Sequence, residues 1–201
     1  MIIQSAEFIK SAVEPDQYPP SNLPEIAFAG RSNAGKSSLI NYLLNRKDLA
    51  KTSAEAGKTQ LINFFLINQA FYFVDLPGYG YARASHGDRA RWKPMIENYV
   101  SSRKTLKGMV VVSDIRREPA DEETTLGEWL SAFAMPSIWV LSKADKVSRN
   151  DQCKQQAVFS TALSVDSKDV IVFSSKTGQG MDALWQRMPV SFHARLTDGL
   201  R

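Results

Sequence analysis

The residues best suited to chemistry lie in the run GRSNAGKSS, Gly30 to Ser38. Gly30, Gly35, Lys36 and Ser37 give the spacing G-x-x-x-x-G-K-S, after an apolar run (Ile26 to Ala29) and before a helix-like one (Ser38 to Leu44). Glycines at these places let the backbone turn its N–H groups inward at the positive end of a helix, which is what a chain of phosphates requires. Lys36 is placed to reach the β- and γ-phosphates as a point charge, and the Ser37 hydroxyl to hold a magnesium ion. The expected ligand is a nucleoside triphosphate; the loop does not say which base.

Further short segments fall at strand ends or just before a strand. Thr59, in Gly57-Lys58-Thr59-Gln60, closes a polar linker from Asn45 to Lys58. Its hydroxyl is a second candidate magnesium ligand, and its N–H a sensor of the γ-phosphate. Asp75 ends an apolar strand and is placed to hold the ion through a water. The Gly78 N–H can approach the γ-phosphate because no side chain blocks it. Ser142-Lys143-Ala144-Asp145 has the chemistry to read a base: the Asp145 carboxylate can accept from both N1–H and the exocyclic N2–H₂ of guanine, a pair that adenine lacks. A site built on such bonds rejects the wrong base by about 10⁴-fold or more. The aliphatic stem of Lys143 can cover one ring face. Ser174-Ser175-Lys176 can offer backbone N–H groups to the guanine carbonyl.

These segments need a scaffold that brings strand ends together. Strands are expected at Glu25–Ala29, Phe65–Ile67, Phe71–Val74, Lys107–Ser113, Ser137–Leu141 and Val170–Phe173. Helices are expected at Lys36–Leu44, Ala90–Ser102, Ala120–Phe133, Asp151–Leu163 and from Met181 past Met188. Strand and helix alternate almost throughout, so the expected fold is α/β: a mainly parallel, doubly wound sheet with one antiparallel edge strand and helices on both faces. Trp129 and Phe133 sit at helical spacing and are expected to be core anchors. Residues 1–24 are expected to be a lead-in packed on the flank of one nucleotide-binding domain, 25–201. With 201 residues and 43% hydrophobic content, the chain can build one substantial core.

The bulk numbers narrow the setting. No apolar run approaches a membrane span, and the N-terminus lacks a basic leader, so a cytoplasmic protein without membrane attachment is expected. Cys153 is the single cysteine, and His86 and His193 lack ligand-spaced companions. The net charge of +4 permits a polyanionic partner. Nothing demands more than a monomer.

Taken together, PEIAFAGRSNAGKSSLIN, GKTQLIN, FVDLPGYGYA, SKAD and the SSK segment resemble the GTPases, and within them the bacterial EngB (YihA/YsxC) family. The resemblance runs from about Glu25 to Gly180 and implies a P-loop GTPase fold. It implies GTP contacts for Gly30, Arg31, Ser32, Asn33, Ala34, Gly35, Lys36 and Ser37; for Gly57, Lys58, Thr59, Gln60 and Leu61; for Asp75, Leu76, Pro77 and Gly78; for Ser142, Lys143, Ala144 and Asp145; and for Ser174, Ser175 and Lys176. It places Ser37 and Thr59 on magnesium, with Asp75 behind a water. Lys36, Thr59, Gly78 and Asn33 are the residues expected to serve hydrolysis. The family's partner is the large ribosomal subunit, and it is often described as needed for normal septation.

Two positions depart from the usual GTPase pattern. Ser142 replaces the Asn or Thr that opens the base-reading segment, a shorter group expected to weaken its tie to the phosphate loop. Tyr79 follows Gly78 where many GTPases carry a water-orienting glutamine, and a phenol cannot copy that amide's donor and acceptor. Slow intrinsic hydrolysis is therefore expected, with help from a partner or an ion. Asn33 resembles an asparagine that holds potassium in related GTPases, which makes potassium a candidate; it equally suits the loop's turn geometry alone. Arg83, Arg89, Arg91, Lys93, Arg103, Lys104, Lys107, Arg116 and Arg117, interleaved with Tyr79, Tyr81 and Trp92, suit contact with RNA. Two other readings stay open: a nucleotide-tuned RNA-binding or septum-associated scaffold with vestigial hydrolysis, and an ATPase, which requires Asp145 to be misassigned.

Overall fold

The computed structural model describes residues 2–50, 61–79 and 86–189, with the backbone alone for 86–93. Seven strands form one sheet: β1 (Ala6–Ala12), β2 (Glu25–Gly30), β3 (Ile62–Ile67), β4 (Phe71–Asp75), β5 (Leu106–Asp114), β6 (Ser137–Ser142) and β7 (Val170–Val172). Their order is β1-β3-β4-β2-β5-β6-β7. β2, β4, β5, β6 and β7 are mutually parallel, and β3 runs against its neighbours. The helices are α1 (Lys36–Leu43), α2 (His86–Ser102), α3 (Asp121–Ala132), α4 (Arg149–Ala162) and α5 (Met181–Arg187).

The central strands are apolar on both faces, as parallel strands covered by helices must be. The two-residue period divides them cleanly. Ile26, Phe28, Val110 and Val112 point to the side that holds Leu39 and Ile40 of α1 and Leu184 and Trp185 of α5. Ala27, Ala29, Met109 and Val111 point to the side that holds Tyr99 of α2, Leu126 and Leu130 of α3 and Phe159 of α4. The sheet thus buries a core on each face. β2 lies between β4 and β5, so the chain leaves it toward β3 through α1 and later crosses to its other side through α2, which opens a crevice at its C-terminal end.

The lead-in carries a strand of its own. Residues 6–12 add β1 to the sheet outside β3, so the antiparallel strand is covered and lies one place in from the edge. Most of β1 is exposed, with Phe8 at 50%; a strand wetted on both faces shows no alternation for the sequence to display. A buried network holds the rest of the lead-in. Arg103, just after α2, donates to Glu25 Oε1 (Nε, 2.8 Å) and to the Pro19 carbonyl (Nη2, 2.6 Å). Tyr99 and Thr105 also donate to the Glu25 carboxylate, at 2.6 and 2.8 Å. Phe133 is half exposed, and so is not the core anchor its spacing suggested; Trp129 is partly buried and packs on it. α5 stops at Arg187 because Pro189 pushes Met188 into extended backbone.

Candidate functional site

The loop after β2 is shaped by two residues with left-handed backbone, Asn33 (φ 64°) and Gly35 (φ 97°). Gly35 caps α1, which begins at Lys36, so the first N–H groups of that helix face the loop's concavity. A side chain at Gly35 would be strained by its backbone and would crowd Ser142 Oγ. The loop after β4 is stitched to this one: the Ser32 N–H donates to the Tyr79 carbonyl (2.8 Å) and the Tyr79 N–H to the Gly30 carbonyl (3.2 Å). A Cβ on Gly78 would lie 3.3 Å from the Ser32 backbone, so close approach of the two loops depends on glycine. Lys36 and Asp75, each about nine-tenths buried, form an ion pair across the crevice.

The base-reading segment docks from the other side. Ser142 is buried at the end of β6, and its hydroxyl donates to the Ala34 carbonyl of the phosphate loop. The serine, though shorter than the usual Asn or Thr, makes that tie directly. Lys143 Nζ donates to the Asn33 carbonyl (2.7 Å) and to Asp114 (2.9 Å). Ala144 is anchored by its N–H on the Phe173 carbonyl. The Asp145 side chain is 13% exposed and pairs with Lys146 at 3.5 Å. Its Oδ1 accepts from the Ser174 hydroxyl at 2.7 Å; this bond, with the Lys146 charge, holds the carboxyl below its ordinary range.

Ser174 ties the next strand end to this turn. Its Oγ accepts from the N–H groups of Lys176 (3.2 Å) and Thr177 (3.3 Å), and its own N–H donates to the Gln179 carbonyl. The Ser174 and Lys176 amides, expected to face a guanine carbonyl, are therefore engaged within the loop. Ser175 lies exposed between them.

Gly30 to Ser37, Asp75 to Gly78, Ser142 to Asp145 and Ser174 to Lys176 thus cluster at the C-terminal ends of β2, β4, β6 and β7. Leu61 precedes β3, while Gly57, Lys58, Thr59 and Gln60 lie outside the described residues, as do Arg83 and Tyr81. The side chains of Arg89, Arg91, Trp92 and Lys93 lie outside them too. Tyr79 is buried, its hydroxyl 3.5 Å from Glu123 in α3. Burial, then the Glu123 charge, pushes the Tyr79 phenol well above its ordinary value. It is a core residue and presents no ring for stacking on RNA. Sequence reasoning passed over Asp114, which ends β5 as Asp75 ends β4; a carboxylate closing a buried strand was the available signal.

The site also bears on magnesium. Ser37 and Asp75 supply hard oxygen donors beside Lys36. Among the described residues no three His, Cys, Asp or Glu side chains cluster as a metal site. A magnesium ion fits this donor set only as one that keeps waters and shares the phosphates, which is its ordinary habit with nucleotides.

Comparisons with known proteins bear on the family and the fold. Residues 25–143 match the family described as 50S ribosome-binding GTPase. The chain is similar to a probable GTP-binding protein EngB of Desulforapulum autotrophicum, with 53% identity over 188 residues, 94% of this chain and 97% of the relative. To the corresponding protein of Citrifermentans bemidjiense it is 50% identical, over 94% of this chain and 88% of the relative. Among solved structures, a probable GTP-binding protein engB superposes with a TM-score of 0.70 at 23% identity, covering 85% of this chain and 99% of that one. An Aquifex aeolicus Era bound to GDP.AlF4- gives 0.63 at 22% identity, covering 82% and 55%. Both structural likenesses speak to the fold.

Proposed function

Because the chain belongs to the EngB family of GTP-binding proteins, we propose that it is a slow GTPase switch that assists assembly of the large ribosomal subunit. The observation that carries this reading is the convergence of the Lys36 loop, the Asp75 strand end and the Ser142–Asp145 turn on one crevice, tied by the Ser142 and Lys143 bonds to the phosphate loop. In the proposed complex the Gly30–Ser37 loop holds the phosphates through Lys36 and those backbone N–H groups not already engaged, as those of Ser32 and Ala34 are, and Asp145 accepts from guanine over the stem of Lys143. Ser175 alone of its segment keeps an amide suited to the guanine carbonyl. Ser37 and Thr59 would hold magnesium, with Asp75 reaching it through a water, and the ion would neutralise charge on the phosphates. GTP draws Thr59 and Gly78 toward the γ-phosphate, and loss of that phosphate releases them.

Slow turnover follows from Tyr79: it is buried against Glu123 and offers no amide to orient water. The ribosomal particle supplies what is missing, or Asn33 would hold a potassium ion whose positive charge would serve the same end. The protein acts as a cytoplasmic monomer, with residues 1–24 joined to one GTP-binding domain over 25–201, and it is needed for normal septation. Support for the partner comes from the family description and from the net charge of +4.

The test is co-sedimentation with large ribosomal subunits in GDP, GTP and a non-hydrolysable analogue, with single-turnover hydrolysis measured on the same particles. The switch predicts retention with the analogue, release with GDP and faster hydrolysis on particles. Equal retention in all three states, without acceleration, favours the scaffold with vestigial hydrolysis.

A further inference from the structure

We infer that Asp114 is a positioning residue for guanine-nucleotide retention: acting through Lys143, it locks the base-reading turn against the phosphate loop. This rests on the function proposed above and adds a residue that makes no contact in that scheme.

Asp114 closes β5, its side chain 5% exposed. Four donors saturate its carboxylate. Arg116 grips it through Nε to Oδ1 (2.9 Å), Nη2 to Oδ2 (2.6 Å) and its backbone N–H to Oδ1 (3.1 Å), and Lys143 Nζ donates to Oδ2 at 2.9 Å. A two-pronged grip from a planar guanidinium fixes the rotamer, so Asp114 meets Lys143 as a rigid anchor. The same Lys143 ammonium donates to the Asn33 carbonyl at 2.7 Å. One cation thereby bridges the end of β5 and the phosphate loop.

The backbone needs that bridge. Lys143 (φ 61°) holds a left-handed conformation that a long side chain seldom adopts unless its surroundings impose it, whereas Asn33 (φ 64°) adopts the same conformation readily. A free lysine side chain is flexible and strongly hydrated, and this one is 31% exposed, so without Asp114 it has a ready exit to solvent. Its departure would remove both the shelf for the base and the clamp on Asn33. Burial raises the Asp114 carboxyl, but the Arg116 and Lys143 bonds outweigh it and hold the group well below its ordinary range. The anchor is therefore charged wherever the protein works.

The experiment is a double-mutant cycle read by stopped-flow release of a fluorescent GDP from the full chain. Asp114→Asn is expected to speed release about tenfold, the worth of a charged hydrogen bond. In a Lys143→Met background the same change is expected to do almost nothing, because the group through which it acts is gone. Fold-effects that simply multiply in the double variant, or unchanged release in Asp114→Asn, would overturn the inference; a merely structural aspartate gives the first result. Should Asp114→Asn not fold, Arg116→Gln takes its place in the cycle. Arg116 is half exposed, its removal frees the Asp114 rotamer, and the same cancellation is expected on a smaller effect of about threefold. Wild-type release of guanine against adenine nucleotides separates the two levels: no base preference defeats the proposed function, whereas preference with a multiplicative cycle defeats only the role of Asp114.

Discussion

The Lys36–Asp75 pair makes a prediction whose sign depends on magnesium. Both side chains are about 10% exposed, so their attraction is less screened than at the surface and each leaves a near-buried charge if parted. Phosphates would compete with Asp75 for the Lys36 ammonium. Placing this pair between an exposed and a fully buried one gives a cost of about 1–2 kcal/mol, or roughly 5- to 30-fold in affinity. Asp75→Asn keeps the size and one acceptor but removes the competing charge. In excess chelator, GDP should therefore bind the variant about 5-fold or more tighter than wild type. With magnesium, GTP should bind about 10-fold weaker, since the carboxylate proposed to hold the ion through a water is lost. Fluorescent-nucleotide titrations with and without magnesium read both signs. Equal weakening in both conditions would refute the competition for Lys36.

Other consequences can be measured separately. Arg103→Met leaves the fully buried Glu25 carboxylate with Tyr99 and Thr105 as donors; urea unfolding should show a loss of about 3–5 kcal/mol, and a loss under about 1 kcal/mol would mean that the pair is inert. Asp114 titrates below its ordinary 3.8, so its stabilisation is complete above that range and disappears as pH falls through and beneath it. The acid limb of wild-type stability should accordingly be steeper than that of Asp114→Asn, and parallel limbs would contradict this. Replacing potassium with sodium should slow hydrolysis if Asn33 holds the ion, and an unchanged rate removes potassium from the scheme.

The parts legible in the sequence are those whose chemistry is local. The Gly30–Ser37 spacing, the carboxylate closing β4 and the Ser142–Asp145 segment each declare themselves within a few residues, because glycines and strand ends limit what the backbone can do. The central strands were legible because burial on both faces leaves unbroken apolar runs. What escaped is non-local. Asp114 and Lys143 lie 29 residues apart, and Tyr79 and Glu123 44 apart; only the sheet order brings them together. β1 escaped for another reason: Phe8 and Ile9 stand in solvent, so no periodic burial marks the strand, and its pairing with β3 alone creates it.

The most direct measurement is calorimetric titration of wild type and Asp145→Asn with GTP, ATP and XTP. The Asp145 carboxylate, held charged by Ser174, should bind GTP at least about 10³-fold more tightly than ATP. The variant, which loses the acceptor for two guanine donors, should instead favour XTP. Equal binding of GTP and ATP by the wild type, or a base preference untouched by Asp145→Asn, would contradict a guanine site at this strand end.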